Sequence, residues 1–148
     1  MAQTQQDATV LLDDDHNAVV RLFEQYKAAH DDNRKRMLAQ QICQELLVHM
    51  QIEDEIFYPE FRRATRDEAL MRDATHEHAE ARELIARLQD TPTDAHLMLE
   101  LEHAILHHVN DEREKMFPEA RKAKNLDLMQ LAQQLEARKT ELMAGHPA

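Results

Sequence analysis

Glycine is almost missing from this chain: one residue in 148, Gly145, close to the C-terminus. Sheets use glycine and Asn-Gly turns to reverse direction, so a β-rich fold is excluded. Cysteine is equally scarce. The single Cys43 rules out an intrachain disulfide framework and fits a reducing cytosol. No uninterrupted apolar run approaches the length of a membrane span. The N-terminal Met-Ala-Gln-Thr-Gln-Gln-Asp stretch has neither a basic nor an apolar region, so no secretory signal is visible and a cytoplasmic location is expected. Positive charge is in deficit, with a formal net charge of −11. An acidic surface disfavours nucleic acid and anionic membranes, because both are polyanions.

The residues that replace these are good helix formers: Ala, Leu, Glu, Gln, Arg and Met. Helices are expected at about residues 9–30, 34–57, 67–88, 95–117 and 126–143. Asp31-Asp32-Asn33 supplies a break with cap-type residues, and Asp90-Thr-Pro-Thr-Asp94 is the clearest loop. Pro59 and Pro118 are expected to end the second and fourth helices. Short loops between long helices favour antiparallel neighbours. The expected fold is all-α. It is an up-down-up-down four-helix bundle over about residues 9–120, with a short extra C-terminal helix, in a single domain spanning 1–148. The last helix is expected to pack on the bundle end or cover an edge.

The most informative pattern is a repeat. His49-Met-Gln-Ile-Glu53 runs on to Pro59, and His108-Val-Asn-Asp-Glu112 runs on to Pro118. Residues four apart on a helix share a face, so each copy aims an imidazole and a carboxylate at one point. Helical periodicity then sorts the ten histidines. His16 shares a stripe with Leu12, Val19 and Phe23, and His49 with Ile42, Leu46 and Ile52. His78 shares one with Met71, Ala74 and Ile85, and His108 with Leu101 and Ile105. His76 and His107 lie on polar faces. His103-x3-His107 has ligand-like spacing but belongs to a solvated face. His30, His96 and His146 lie at helix ends or in the tail.

One inward histidine is ordinarily a hydrogen-bonded core residue. Four of them with two inward glutamates make a costly core unless a cation is held there. The expected metal ligands are His16, His49, Glu53, His78, His108 and Glu112. Imidazole and carboxylate without thiolate suit Fe, Mn or Zn, and Cys43 is expected to be only a small buried residue. Six ligands exceed one tetrahedral zinc and fit two metals, each with about two histidines, and two glutamates that could bridge. Tyr26 and Tyr58 are read as packing residues, with hydrogen bonding or redox near the metals as the alternative.

These motifs resemble the hemerythrin-like, HHE cation-binding domain family. The resemblance covers about residues 11–120. Leu11-Leu-Asp-Asp-Asp-His16 looks like the family's first helix. His49-x3-Glu53 with Phe57-Tyr58-Pro59 looks like its second. His78-Ala-Glu-Ala-Arg-Glu-Leu-Ile looks like its third. His107-His108-x3-Glu112 with Met116-Phe117-Pro118 looks like its fourth. The resemblance implies a four-helix bundle with two non-haem iron ions on those six ligands. It also implies dealings with dioxygen, peroxide or nitric oxide, in sensing, protection or iron handling. A peroxide-consuming or oxygen-activating enzyme, or a bundle that metal only stabilises, are the alternatives. No output domain is visible in the sequence, so a sensor would be expected to signal through a protein partner. Two departures stand out from the oxygen-carrying members. Arg82 follows His78 where they have a second histidine, and His108-x3-Glu112 stands where they have His-x4-Asp, a spacing that His107 and Glu112 would keep. With one histidine fewer, oxygen chemistry, sensing or iron handling is expected over reversible transport.

Overall fold

Five aspartates start the five long helices. In the computed structural model, which describes residues 6–145, the elements in order are α1 (Ala8–Ala28), α2 (Asp32–Ile52), a π turn (Glu53–Phe57), α3 (Tyr58–Thr65), α4 (Glu68–Asp90), α5 (Ala95–Asp111), a second π turn (Glu112–Met116), α6 (Phe117–Lys122) and α7 (Leu128–Ala144). Asp7, Asp31, Asp67, Asp94 and Asp127 each accept a hydrogen bond from a backbone N–H of the first turn they precede. Each such cap contributes about 1 kcal/mol. Between α3 and α4, Arg66 takes the left-handed conformation (φ 57°) that glycine usually supplies at a helix end.

The helices do not end at the prolines, as the sequence suggested. Inside an α-helix a proline ring clashes with the carbonyl four residues back. Here a wider π turn precedes each proline. The N–H of Tyr58 bonds the carbonyl of Glu53, and that of Phe117 bonds the carbonyl of Glu112. Pro59 and Pro118 then sit in the first turn of α3 and α6, where a missing N–H is harmless.

Around the bundle α1 packs on α2, α2 on α4, α4 on α5 and α5 on α1. Lys27 meets Glu102 while Asp13 meets Arg113, so α1 and α5 run in opposite directions. One apolar cluster includes Phe23, Tyr26, Leu38, Ile42, Leu88 and Leu101. A second includes Leu12, Ile52, Phe57, Phe61, Phe117 and Leu135. The inward histidines fall between the two.

The C-terminal helix, 17 residues close to the expected bounds, lies along α1, α2 and the first π turn, and so covers an edge. Leu135 is fully buried there. Leu135→Ala is expected to lower unfolding free energy by about 2–5 kcal/mol, read from the urea midpoint at unchanged slope. A loss below about 0.5 kcal/mol, the range of ordinary surface substitutions, would mean that α7 is not part of the core. His146 lies outside the described residues. Among the described residues, no helix is long and apolar enough to cross a membrane.

Candidate metal centre

The structure brings the six expected ligand side chains together. The four-residue spacing on α2 puts His49 Nε2 3.4 Å from Glu53 Oε2, and on α5 it puts His108 Nε2 3.2 Å from Glu112 Oε2. His16 and His78 enter from α1 and α4. His16 Nε2 lies 2.9 Å from Glu112 Oε1, and His78 Nε2 lies 3.0 Å from Glu53 Oε1. Each glutamate thus turns one oxygen to the histidine of its own helix and the other across the bundle. His16, His49, Glu53 and Glu112 form one group able to hold a metal ion, and Glu53, His78 and His108 form another. All six residues are buried. His107 faces solvent with its side chain 69% exposed, so the pair that forms is His108 with Glu112.

Four buried atoms at this point, His16 Nε2, His49 Nε2, Glu53 Oε2 and Glu112 Oε1, make no well-formed hydrogen bond and face only one another, in two imidazole–carboxylate pairs. Orphaned buried polar atoms are expensive, and four of them gathered at one point call for a reason. Their spacing supplies the reason. Donors bound about 2.1 Å from one ion lie about 3.0 Å apart in octahedral geometry and about 3.4 Å apart in tetrahedral geometry. The 2.9 and 3.4 Å separations fall at these edges. The residues fit a metal.

Behind each histidine stands a carboxylate that the sequence reading missed. Asp13 meets His16 Nδ1 at 2.9 Å, and Asp15 meets His49 Nδ1 at 3.0 Å. Asp54 meets His78 Nδ1 at 2.9 Å, and Glu77 meets His108 Nδ1 at 2.6 Å. With Nδ1 donating to its carboxylate, each ring turns the Nε2 lone pair to the centre, as a metal ligand must. The missed signal was adjacency. Asp15, Asp54 and Glu77 directly neighbour His16, Glu53 and His78 in sequence.

Electrostatics favour positive charge here. Burial alone would lower the His49 pKa, yet Glu53 and Asp15 push it up to about 10. Burial works against ionising Glu53, yet His49, His108 and His78 hold its carboxyl well below the usual range. The glutamates therefore stay ionised and demand a cationic partner, whether protonated imidazole or metal.

Tyr58, read from the sequence as packing, belongs to the cluster. Its hydroxyl lies 2.6 Å from Glu112 Oε2 and 3.1 Å from Glu53 Oε1. It also lies 3.2 Å from His78 Nε2 and 3.3 Å from His108 Nε2. Burial, then the charges of Glu112 and Glu53, raise its pKa well above 10, so it carries its proton. In the repeat its counterpart is Phe117, which stacks on His16 at 6.0 Å. Tyr26 does pack, with its hydroxyl donating to the Pro92 carbonyl. Cys43 is buried in the apolar core, where desolvation pushes its thiol up to about 11.

Arg82, which stands where a further histidine would extend the ligand set, turns outward. Its Nη2 lies 2.6 Å from Asp54 Oδ2 and so clamps the carboxylate that orients His78. Asp54→Asn keeps the shape of that carboxylate and removes its charge. Metal affinity in a chelator competition is expected to fall about 10–100-fold, as for other outer partners of a ligand histidine. Unchanged competition would make Asp54 a surface residue only.

The sequence matches the hemerythrin HHE cation-binding domain over residues 7–120. No curated protein matches it. Among solved structures it is similar to the crystal structure of a hemerythrin HHE cation-binding domain-containing protein from Mycobacterium kansasii. The TM-score is 0.79 at 23% identity, over 95% of this chain and 89% of that one. At that identity the likeness speaks for the fold.

Proposed function

Because the chain belongs to the hemerythrin HHE cation-binding domain family, we propose that its centre holds two non-haem iron ions and that the protein binds or reacts with dioxygen or a related small oxidant. The observation that carries this reading is the set of four orphaned atoms on His16, His49, Glu53 and Glu112. In this reading those residues hold one ion. His78 and His108 would hold the other, together with Glu53, whose second oxygen lies 3.0 Å from His78 Nε2. Iron in an imidazole–carboxylate set supplies redox electrons to a small molecule bound beside it.

The chain's own residues supply the rest. The carboxylates behind the histidines fix ring orientation and raise ligand basicity. The apolar clusters on either side keep bulk water from the centre. Tyr58 holds a proton at its hydroxyl, within reach of both glutamates. Arg82 serves orientation instead of ligation, which favours oxygen chemistry, sensing or iron handling over reversible transport.

The test begins with metal content, expected at about two irons per chain. Reduced, iron-loaded protein is then mixed anaerobically with dioxygen, peroxide and nitric oxide in turn. No absorbance change with any of the three would overturn the reading. A peroxide-consuming enzyme is the second reading, and the Tyr58 hydroxyl favours it as an acid group inside the cluster. Peroxide turnover no faster than that of free iron would exclude it.

A further inference from the structure

The four carboxylates behind the histidines are not alike. Asp13 is held by Arg113 at 2.6 Å, Asp15 by Lys139 at 2.6 Å and Asp54 by Arg82 at 2.6 Å. Among the described residues, Glu77 has no arginine or lysine. Its outer oxygen instead meets His107 Nε2 at 3.4 Å, and a carboxylate oxygen of Asp111 lies within 4.8 Å. His107 Nε2 in turn lies 3.5 Å from Asp111 Oδ2. Where the other three places carry a fixed cation, this one carries an imidazole and a second carboxylate.

We propose that Glu77, His107 and Asp111 form a further, solvent-facing site for a divalent transition-metal ion. The donor atoms of the three lie within 4.8 Å of one another. Separations of 3.4 and 3.5 Å suit donors about 2.1 Å from a common ion. One imidazole with two carboxylates selects Zn, Fe, Mn or their neighbours over Mg or Ca, and the exposed side leaves room for water ligands.

Each of the three directly neighbours an inner ligand in sequence: Glu77 beside His78, His107 beside His108, Asp111 beside Glu112. His107-x3-Asp111 thus repeats, one residue out of phase, the pairing of His108-x3-Glu112. Lys115 stands 3.6 Å from the other Asp111 oxygen, is mostly exposed, and offers little competition in water. The site does not depend on what the buried centre holds, although Glu77 touches both through His108.

The test uses the full-length protein as purified, freed of loose metal by desalting and titrated with Zn2+ by calorimetry. His107→Ala and Asp111→Asn are compared with the unaltered protein. His107 is exposed and Asp111 half-buried, and circular dichroism checks the fold. The unaltered protein is expected to take one more Zn2+ than either variant, or to hold it at least about 10-fold tighter. Reading the difference makes the result independent of how many ions the buried centre carries. Equal stoichiometry with equal affinity in all three proteins would overturn the proposal, as would no uptake by the unaltered protein.

Discussion

Glu53→Ala is expected to leave less than one metal ion per chain. Glu53 is the residue common to both groups of the centre, and it is fully buried. One oxygen faces His49, and the other faces His78 and His108. If the centre holds two dications as proposed, removing Glu53 would strip a ligand from each and a negative charge that helps to neutralise them. The consequence for stability follows from linkage. At a hundredfold excess over the dissociation constant, each bound ion stabilises the folded state by about 2.7 kcal/mol. For two ions in a chain of this size, that is a rise of about 10–20 °C in melting temperature. The variant is expected to show almost none of it. Glu102 supplies the control, being a buried glutamate paired with Lys27 away from the centre. Glu102→Ala is expected to lower stability while metal content stays unchanged. Two ions retained in Glu53→Ala would remove Glu53 from the ligand set.

Tyr58→Phe is expected to keep its metal and lose most of its reactivity. The repeat already carries phenylalanine at the matching position, Phe117, so the ring shape suits the bundle. What the variant lacks is one hydroxyl, 2.6 Å from Glu112 and in reach of Glu53 Oε1, His78 Nε2 and His108 Nε2. A positioned proton donor contributes about 10²–10⁴-fold to a rate. Reaction of the reduced, iron-loaded protein with peroxide is expected to slow by that order. The pH profile is expected to flatten on the side where the phenol would titrate. An unchanged rate and profile, with metal content intact, would reduce Tyr58 to packing.

The contrast between Tyr58 and the histidines explains what the sequence could and could not reveal. His16, His49, His78 and His108 each lie on an apolar stripe at α-helical spacing, and periodicity finds such residues. Glu53 and Glu112 follow at the same spacing. Tyr58 comes five residues after Glu53, which an α-helix would rotate about 140° away. Only the π turn, with its bond from Tyr58 N–H to the Glu53 carbonyl, brings the two onto one face. The sequence marks that turn with nothing but the proline after it, which reads as a stop. Asp13, Asp15, Asp54 and Glu77 escaped for another reason. Each serves a histidine through the outward face of a helix, where an acidic residue looks like any solvated charge.

The cross-bundle reach of Glu53 and Glu112 has a topological consequence. Residues 1–66 supply His16, His49 and Glu53, and the remainder supplies His78, His108 and Glu112. Glu112 reaches back to His16, and Glu53 reaches forward to His78. Ions held by this set would staple segments far apart in the chain, closing long loops as a covalent bridge does. A chain with one cysteine has no such bridge of its own. Here the staple would be reversible, opening with a chelator where a disulfide needs a reductant.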